Sequence, residues 1–371
     1  MNFEDRYGRV DRLLHDFAFS AGRAQHAMAD VEEILYGDTL EAISLEDPVF
    51  VTALPRSGTT ILLQLLADSG RFASHTYRDM PFVLCPMLWS RFSSRFAAGE
   101  EAMERAHGDG LEVSADSPEA FEEMIWKHFW PERYRGDRIV PWGPETEQNA
   151  EFDAFLEAHM KKVVALRRDG PGDDRRYVSK NNLNISRLAA PPRPLRRGTL
   201  LVPFREPVQQ AASMLRQHRR FLGIHEDDDF VRRYMEAIGH HEFGKGLKPV
   251  DFGGWLDEAG WEGWDADEPP PAADPGGLEF WIRYWVAAYR HVLEHAGAGT
   301  SLLSYARLTG EPGEALVGVA DVIGAEAGEL ASMAGRLRPP RTHDVDLSGI
   351  EDGVLDEARA LHGELDAASE I

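Results

Sequence analysis

Residues 54–60, Leu-Pro-Arg-Ser-Gly-Thr-Thr, bring a cation, a glycine and several hydroxyl groups together between two apolar runs. Arg56 carries a planar guanidinium that binds anions with several oxygens, and Gly58 lets the backbone approach such a ligand closely. The hydroxyl donors beside them are Ser57, Thr59 and Thr60. This combination predicts a loop that binds an anion, with phosphate as the first candidate. An ordinary strand–helix turn with a Ser/Thr cap is the structural alternative.

The flanking apolar runs predict the elements that position this loop. Residues 48–54 are nearly continuous in apolar side chains and rich in Val and Phe, a pattern typical of a strand buried on both faces. Residues 59–68 place Leu and Ile at helical spacing and are followed by Gly70, a usual helix stop. The loop would therefore lie at a helix N-terminus, where unpaired N–H groups and the helix dipole favour an anion.

The loop lacks the features of a P-loop kinase. A Walker loop requires G-x-x-x-x-G-K-[ST], in which the lysine reaches the terminal phosphates. Here Ala53 stands five residues before Gly58, and Thr59 occupies the lysine position. A nucleotide- or small-molecule kinase of P-loop type stays as an alternative function, with the missing lysine against it.

Four segments, taken in order, resemble sulfotransferases that use 3′-phosphoadenosine 5′-phosphosulfate (PAPS), closest to their bacterial and tyrosylprotein-sulfotransferase-like branch. PRSGTT, at 55–60, resembles the loop that binds the 5′-phosphosulfate. RYVSKNNLNISRL, at 176–188, resembles the segment with a lysine at the end of a strand. LLVPFREPVQQAASML, at 200–215, resembles the 3′-phosphate site, and SLLSYARL, at 301–308, resembles the strand with a tyrosine before a short turn.

The resemblance implies roles for residues within these segments. Lys180 would bridge the leaving oxygen of PAPS and the sulfuryl group, and Arg205 with Ser213 would bind the 3′-phosphate. The implied nucleotide-binding residues are Arg56, Ser57, Gly58, Thr59, Thr60, Arg205, Ser213 and Tyr305. Because the cations would replace a metal ion, no metal is expected. The expected partners are PAPS, whose product is PAP, and an unidentified acceptor with a hydroxyl group, an amine being the second choice.

Three features depart from the family pattern. Asn181 and Asn182 replace the commoner acidic residue and proline after the lysine, and Glu206 stands where aspartate is more usual. Pro203 lies inside the run expected to form a central strand, where a proline cannot donate to the ladder. We therefore expect that strand to end by Val202.

The acceptor hydroxyl needs a general base within hydrogen-bond reach. In SHTYRDMPF, at 74–82, His75 is the first candidate because imidazole titrates near neutral pH, and Asp79 is the second. The other candidates are His107, Asp109, Glu122 and Glu123. The resemblance leaves this role open, because tyrosylprotein enzymes carry a glutamate near the place that His75 and Thr76 occupy here.

The composition restricts the class of protein. The formal charge of −23 argues against nucleic acid or an anionic membrane as the main partner, so an anionic substrate requires arginines concentrated at one site. A single cysteine, Cys85, rules out an intramolecular disulfide framework and suits a reducing compartment. Because the N-terminal segment is charged, we expect no signal peptide there, and no apolar run reaches the roughly 18 residues of a membrane span. We therefore expect a cytoplasmic protein.

The order of predicted elements indicates an α/β fold. Strands near 176–180, 199–203 and 300–305 alternate with helices, among them Leu278–His295, which favours βαβ units and a parallel sheet. We expect one P-loop-like, three-layer domain over residues 1–371, with a mainly parallel central sheet flanked by helices, helical insertions and a helical C-terminal tail. Its parts would be N-terminal helices at 1–46, a PAPS-binding core at 47–325 and a tail at 326–371.

Two stretches lie outside the motifs. Residues 254–277 are rich in Trp, Gly, Pro and acidic residues and are typical of an irregular loop. Its tryptophans would either form a lid that stacks on an acceptor or anchor the loop by packing; they are Trp255, Trp261 and Trp264. Between the first strand–helix unit and about residue 168 we expect a long helical stretch.

Together the segments predict an enzyme that transfers the sulfuryl group of PAPS to an acceptor hydroxyl. A non-catalytic PAP- or phosphate-binding protein is the second alternative beside the kinase. Such a binder would keep Arg56, Arg205 and Ser213 but would need neither Lys180 nor a general base.

Overall fold

Helices and short strands alternate along the chain. The computed structural model describes residues 8–93, 103–104, 112–170 and 172–371. The helices are α1 Arg9–Ser20, α2 Gly22–Leu35, α3 Gly37–Glu41, α4 Thr59–Asp68, α5 Pro86–Ser93, α6 Glu123–Phe129, α7 Ala150–Arg167, α8 Arg193–Arg196, α9 Pro207–Asp227, α10 Asp229–Ala237, α11 Trp255–Ala259, α12 Leu278–His295, α13 Tyr305–Gly310, α14 Pro312–Ile323, α15 Ala327–Ala331 and α16 Asp352–Ala368. The strands are β1 Val49–Val51, β2 Phe72–Ala73, β3 Met103–Glu104, β4 Glu112–Val113, β5 Arg176–Lys180, β6 Thr199–Phe204 and β7 Thr300–Ser304.

The central sheet is wholly parallel and has the strand order β2-β5-β1-β6-β7. In its middle, Val51 pairs with Lys180 on one side and with Leu201 on the other. Strands β3 and β4 form a separate antiparallel pair. Parallel strands connected by helices end at the same edge of the sheet, so the segments that follow β5, β1, β6 and β7 are brought together there.

Two apolar cores cover the two faces of this sheet. Phe50 belongs to the larger core, while its neighbours Val49 and Val51 belong to the smaller one, as the alternation of side chains along a strand requires. The larger core includes side chains of α7, α9, α12 and α16, and the smaller one those of α4 and α14. The predicted three-layer α/β architecture with a parallel sheet is therefore confirmed.

The predicted elements nearest the motifs agree with the structure to different degrees. Helices α4 and α12 have the predicted bounds, whereas β1 ends at Val51, before the predicted end of the apolar run. The long helical stretch expected up to about residue 168 is instead interrupted: within the described residues it contains strands β2, β3 and β4 besides the separate helices α5, α6 and α7.

The expectation that the strand beginning near residue 199 ends by Val202 is wrong. Strand β6 continues to Phe204, and Pro203 pairs in register with β7. The backbone N–H of Thr199 donates to the chain just before β1, and the carbonyl of Leu201 accepts from the chain just after it. Odd-numbered residues of β6 therefore direct their backbone groups towards β1. Because β1 is already finished opposite Pro203, the missing N–H costs no ladder hydrogen bond.

The C-terminal tail is part of the core. Leu361 and Leu365 of α16 are fully buried in the larger core, and α16 packs along α12. The carbonyl of Ile371 accepts from the backbone N–H of Ser304 at 2.8 Å, so the chain end closes over the end of β7. None of the helices in the described ranges is long and apolar enough to cross a membrane.

The tryptophans of the 254–277 loop act as packing anchors. Trp255 and Trp261 are buried, and their rings stack on Tyr284 and Phe280 of α12 with centroid separations of 5.4 Å in each pair. The indole N–H of Trp255 donates to the carbonyl of Val250 at 2.9 Å. These contacts favour the packing interpretation over an acceptor-stacking lid.

A buried ion pair joins the N-terminal helices to the core. The ammonium of Lys162 on α7 lies 3.4 Å from a carboxylate oxygen of Glu32 on α2 and donates to the carbonyl of Ala29 at 2.8 Å. Both charged side chains are fully buried. Burial raises the pKa of the Glu32 carboxyl, although the N–H of Leu88 and the Lys162 charge act in the opposite direction.

Substituting Lys162 by Met should lower the free energy of unfolding by about 3 kcal/mol, because Glu32 would be left as an uncompensated buried charge. Adding Glu32→Gln should recover most of that loss. A carboxyl whose pKa is raised in the folded state destabilises as pH rises, so the single variant should recover towards wild type below about pH 4. Urea unfolding of both variants checks this, and wild-type stability in the single variant at pH 7 would contradict it.

Candidate functional site

The predicted site residues meet at the carboxyl edge of the sheet. Lys180 is the last residue of β5 and pairs with Val51, the last residue of β1. The chain then continues from β1 into the 54–60 loop. Arg205 follows β6 directly and Tyr305 follows β7. The parallel register therefore brings the four motif segments to adjacent strand ends, the usual position of ligand crevices in such sheets.

The loop before α4 has a strained backbone. Gly58 lies at φ +106°, and a side-chain carbon there would stand 2.4 Å from the ring of Tyr305. Arg56 also has a positive φ, +69°, which is unusual for a residue other than glycine and is found where structure around it enforces it. The side chains of Ser57 and Thr59 are buried at the start of α4. The loop is thus a preformed turn at a helix N-terminus.

Side chains of α9 and α12 hold this loop from the core side. The amide of Gln210 donates to the carbonyl of Pro55 at 3.0 Å and accepts from the indole N–H of Trp285 at 3.0 Å. The hydroxyl of Tyr289 donates to the carbonyl of Pro203 at 3.0 Å. The hydrogen bonds of these buried polar groups are made within the protein, and they fix the position of the loop relative to β6.

Arginines converge on the same place. The Nε of Arg56 donates to the hydroxyl of Ser213 at 3.2 Å, and a guanidinium N–H of Arg205 donates to the carbonyl of Arg56 at 2.9 Å. Burial lowers the pKa of the Arg205 guanidinium, and the neighbouring Arg56 charge lowers it further. Repulsion between like charges in a partly buried place is relieved by a bound anion.

Sequence reasoning missed further basic residues at this site. Arg216 of α9 contacts the ring of His343, whose backbone is held by Gln209 through bonds of 2.7 and 3.1 Å. Burial lowers the pKa of His343, and the charges of Arg216, Arg205, Arg341 and Arg56 lower it too. The only sequence signal was the run RPPRTH at 338–343, an arginine-rich stretch in an acidic chain.

The cationic cluster has few nearby counter-charges. Within the described ranges no carboxylate lies at ion-pair distance from Arg205 or Arg216. The acidic excess of the chain is therefore placed elsewhere, and the site can attract an anion despite the net charge of −23. The same part of the chain contains no group of three or more side chains suited to hold a metal ion.

Lys180 is largely buried beside the loop, 7% exposed. The following residues are fixed to the loop as well: the N–H of Asn181 donates to the carbonyl of Val51 at 2.9 Å. The hydroxyl of Thr59 approaches the side-chain oxygen of Asn182 at 3.4 Å. Lys180 and the N-terminus of α4 are thus held as one unit.

His75 and Asp79 follow β2 at the same edge but are enclosed. The Nδ1 of His75 lies 3.2 Å from Asp79, and its Nε2 lies 3.1 Å from Nε2 of His159, on which the ring stacks. His75 is 1% exposed. Asp79 also accepts from Arg167 at 2.5 Å. Both ring nitrogens of His75 are therefore engaged inside the protein, which argues against its action as base, and the assignment stays a prediction.

The helix carboxylates are also enclosed. Glu122 and Glu123 at the start of α6 are buried behind β5. The donors to Glu122 are Ser179, Tyr177, Asn184 and Trp126, and those to Glu123 are Tyr134, Asn181 and Arg187. Such fully bonded carboxylates serve best as structural acceptors. The candidates His107 and Asp109 lie outside the described residues.

Replacing Asp79 by Asn should lower the free energy of unfolding by about 3 kcal/mol, because Arg167 would lose its buried counter-charge. Burial alone would raise the pKa of Asp79, but Arg167 and His75 hold it well below its usual range. A depressed pKa stabilises the fold above the unfolded value, so the difference from wild type should shrink as pH falls below about 4. Chemical unfolding at pH 7 and pH 3 measures this.

The exposed pair of Arg78 and Asp116 provides the control. Asp116→Asn should change stability by less than about 1 kcal/mol, as expected for a surface ion pair. Equal losses in the two variants would show that the enclosed pair contributes no more than a surface one.

Comparison with solved structures returns sulfotransferases of low identity. Sulfotransferase STF9 from Mycobacterium avium is 11% identical, over 93% of this chain and 82% of that one, with a TM-score of 0.48. Sulfotransferase STF1 from Mycobacterium tuberculosis H37Rv is 14% identical, over 91% and 81%, with a TM-score of 0.42. A sulfotransferase from Alicyclobacillus acidocaldarius is 11% identical, over 88% and 95%, with a TM-score of 0.35. With TM-scores below 0.5, these likenesses carry no part of the assignment.

The sequence itself provides the family assignment. No curated protein matches the chain. The model of the sulfotransferase family matches residues 48–243, which is just over half of the chain. The matched region contains the 54–60 loop, Lys180, Arg205 and Ser213. The chain therefore belongs to the sulfotransferase family.

Proposed function

We propose that this sulfotransferase uses PAPS as donor and transfers its sulfuryl group to an acceptor hydroxyl. The observation that carries the proposal is the bonded arrangement of Arg56, Ser213 and Arg205 around a preformed helix N-terminus, with Lys180 on the adjacent strand end. PAPS carries anionic groups at both its 5′ and 3′ positions, and the loop hydroxyls lie beside Arg56 of this group in the sequence. An amine acceptor is the second choice.

The nucleotide would bind through distinct sets of groups. The backbone and hydroxyl groups at 57–60 would hold the 5′-phosphosulfate at the start of α4, where the helix dipole is positive. Arg56, Arg205 and Ser213 would bind the 3′-phosphate, since guanidinium and hydroxyl donors match its oxygens. Arg216, Arg341 and His343 would add positive charge at that end.

Lys180 would act in the chemical step. Sulfuryl transfer, like phosphoryl transfer, requires in-line geometry and stabilisation of charge on the transferring and leaving groups. The ammonium of Lys180, next to the loop, would stabilise the charge that develops on the leaving oxygen of the 5′-phosphate as the S–O bond breaks. Its burial strengthens that interaction, because water screens it less.

Ligand-induced stabilisation tests the donor and separates the alternatives. PAPS and PAP should raise the melting temperature strongly, whereas ATP with Mg²⁺ should not, because only the ligand that fits the native site stabilises by mass action. Transfer of label from ³⁵S-PAPS to pooled glycans, lipids, phenols and peptides then separates an enzyme from a binder. Stabilisation by ATP but not by PAP would favour the kinase, and PAP binding without any turnover would favour the binder.

Arg56→Ala and Arg205→Ala should each weaken PAP binding by roughly 10- to 150-fold, since each removes charge-assisted hydrogen bonds worth about 1.5–3 kcal/mol. Arg56→Lys should also weaken it, because a point charge cannot replace the planar fork. Titration calorimetry with PAP measures the effect. Arg233→Ala is the matched control, since Arg233 is exposed and pairs with Asp229 on α10. Unchanged affinity in both site variants would place the nucleotide elsewhere.

Lys180→Ala should behave differently from the arginine variants. Its charge is proposed to act mainly in the transition state, so turnover should fall by at least 100-fold while PAP affinity changes by less than about 10-fold. Single-turnover rates with saturating PAPS, together with calorimetric affinities, separate the two effects. Equal losses in rate and affinity would make Lys180 a binding residue only.

A further inference from the structure

A glutamate outside every motif reaches the proposed sulfuryl site through one side chain. The amide nitrogen of Asn182 donates to Oε1 of Glu242 at 3.0 Å, while the amide oxygen of Asn182 is 3.4 Å from the hydroxyl of Thr59. Asn182 is two residues beyond Lys180, and Thr59 is the first residue of α4. Glu242 therefore stands one side chain away from both the phosphosulfate loop and the strand end that carries Lys180.

Glu242 differs from the other carboxylates near this edge. It is partly exposed; among the described residues, Asn182 is the side chain that donates a hydrogen bond to it, and no cation lies at ion-pair distance from it. The sequence-based candidates differ from it in being buried and in having their polar atoms bonded to several groups inside the protein; they are His75, Asp79, Glu122 and Glu123. A general base must have a free lone pair that an acceptor can reach. Glu242 meets that requirement better.

The segment that carries Glu242 is held firmly. The backbone N–H of Lys248 donates to the carbonyl of His241 at 2.8 Å, and the N–H of Gly244 donates to the ring of His218 on α9 at 3.1 Å. His241 is itself buried, with Nδ1 3.2 Å from the carbonyl of Gly246. Helix α9 also carries Ser213, so the nucleotide site and the Glu242 segment are positioned by the same helix.

We propose that Glu242 is the general base that takes the proton from the acceptor hydroxyl, with Asn182 orienting its carboxylate. This inference rests on the proposed function. The acceptor oxygen forms a bond to sulfur while its proton passes to Glu242. The bond between sulfur and the 5′-phosphate oxygen breaks, and its electron pair stays on PAP, where Lys180 stabilises the charge. Glu242 then returns the proton to solvent.

Glu242→Gln tests the proposal, because the amide keeps an oxygen for the bond from Asn182 but cannot accept a proton. The probes are ³⁵S-PAPS with 4-methylphenol, the more acidic 4-nitrophenol, or water alone, with release of PAP as the common readout. We expect turnover to fall by roughly 10²–10⁴-fold with 4-methylphenol and with water, and clearly less with 4-nitrophenol, which gives up its proton more readily. PAP affinity should be unchanged. Glu242→Asp should recover part of the rate.

Glu226→Gln is the matched control. Glu226 is exposed and pairs with Lys245, which lies three residues after Glu242. The Glu226 variant therefore tests the loss of a carboxylate next to the same segment. This variant should keep the wild-type rate. A dependence on acceptor acidity distinguishes proton transfer from a structural role, because a misplaced segment would slow both phenols alike.

The remaining outcomes would overturn the inference in distinguishable ways. Full activity of Glu242→Gln, or an equal loss with both phenols, would remove Glu242 as base while leaving the proposed function intact. Loss of rate in His75→Gln, with PAP affinity retained and Glu242→Gln active, would return the role to His75. A wild-type protein that neither binds PAP nor releases it from PAPS would overturn the proposed function itself, and the inference with it.

Discussion

The structure depends on keeping like charges together before an anion is bound. Arg205 is tied to the backbone of Arg56, and Arg56 to Ser213, although burial and mutual repulsion lower the pKa of Arg205. A flexible surface would let these side chains separate into water. Here the carbonyl of Arg56 and the hydroxyl of Ser213 hold them. The free energy needed to place the two positive charges side by side is therefore supplied by folding, and ligand binding does not have to supply it.

This constraint explains why so much of the polar core lies beneath the loop. Gln210 donates to a carbonyl of the loop and accepts a hydrogen bond from Trp285. Tyr289 donates to a carbonyl of the strand that precedes Arg205. A loop with a positive φ at Arg56 needs such support, because the backbone would otherwise relax. The parallel register supplies the remaining order: it sets Lys180 opposite Val51, the last residue before the loop.

Local patterns were sufficient to predict the part of the site that lies within continuous segments. The apolar runs and Gly70 gave the bounds of α4, and the position of Lys180 at a strand end followed from the same reasoning. Contacts between distant segments were not predictable: no local signal tells that His159 of α7 would enclose His75, or that residues 338–343 would return to the arginines. Pro203 was misjudged because its effect depends on where the neighbouring strand ends, which a single strand's sequence does not state.

The two asparagines after Lys180 show how a departure from a family pattern can follow from packing. The amide of Asn181 donates to Glu123 at 2.7 Å, and that of Asn182 donates to Glu242 at 3.0 Å. An acidic residue at 181, the commoner choice, would set a second carboxylate against buried Glu123, and a proline at 182 would remove the donor to Glu242. Because a buried polar group needs a hydrogen-bond partner, amide donors suit these two positions, each of which faces a glutamate oxygen. Asn182, a departure from the family pattern, is thus the residue that ties Glu242 to the segment after Lys180.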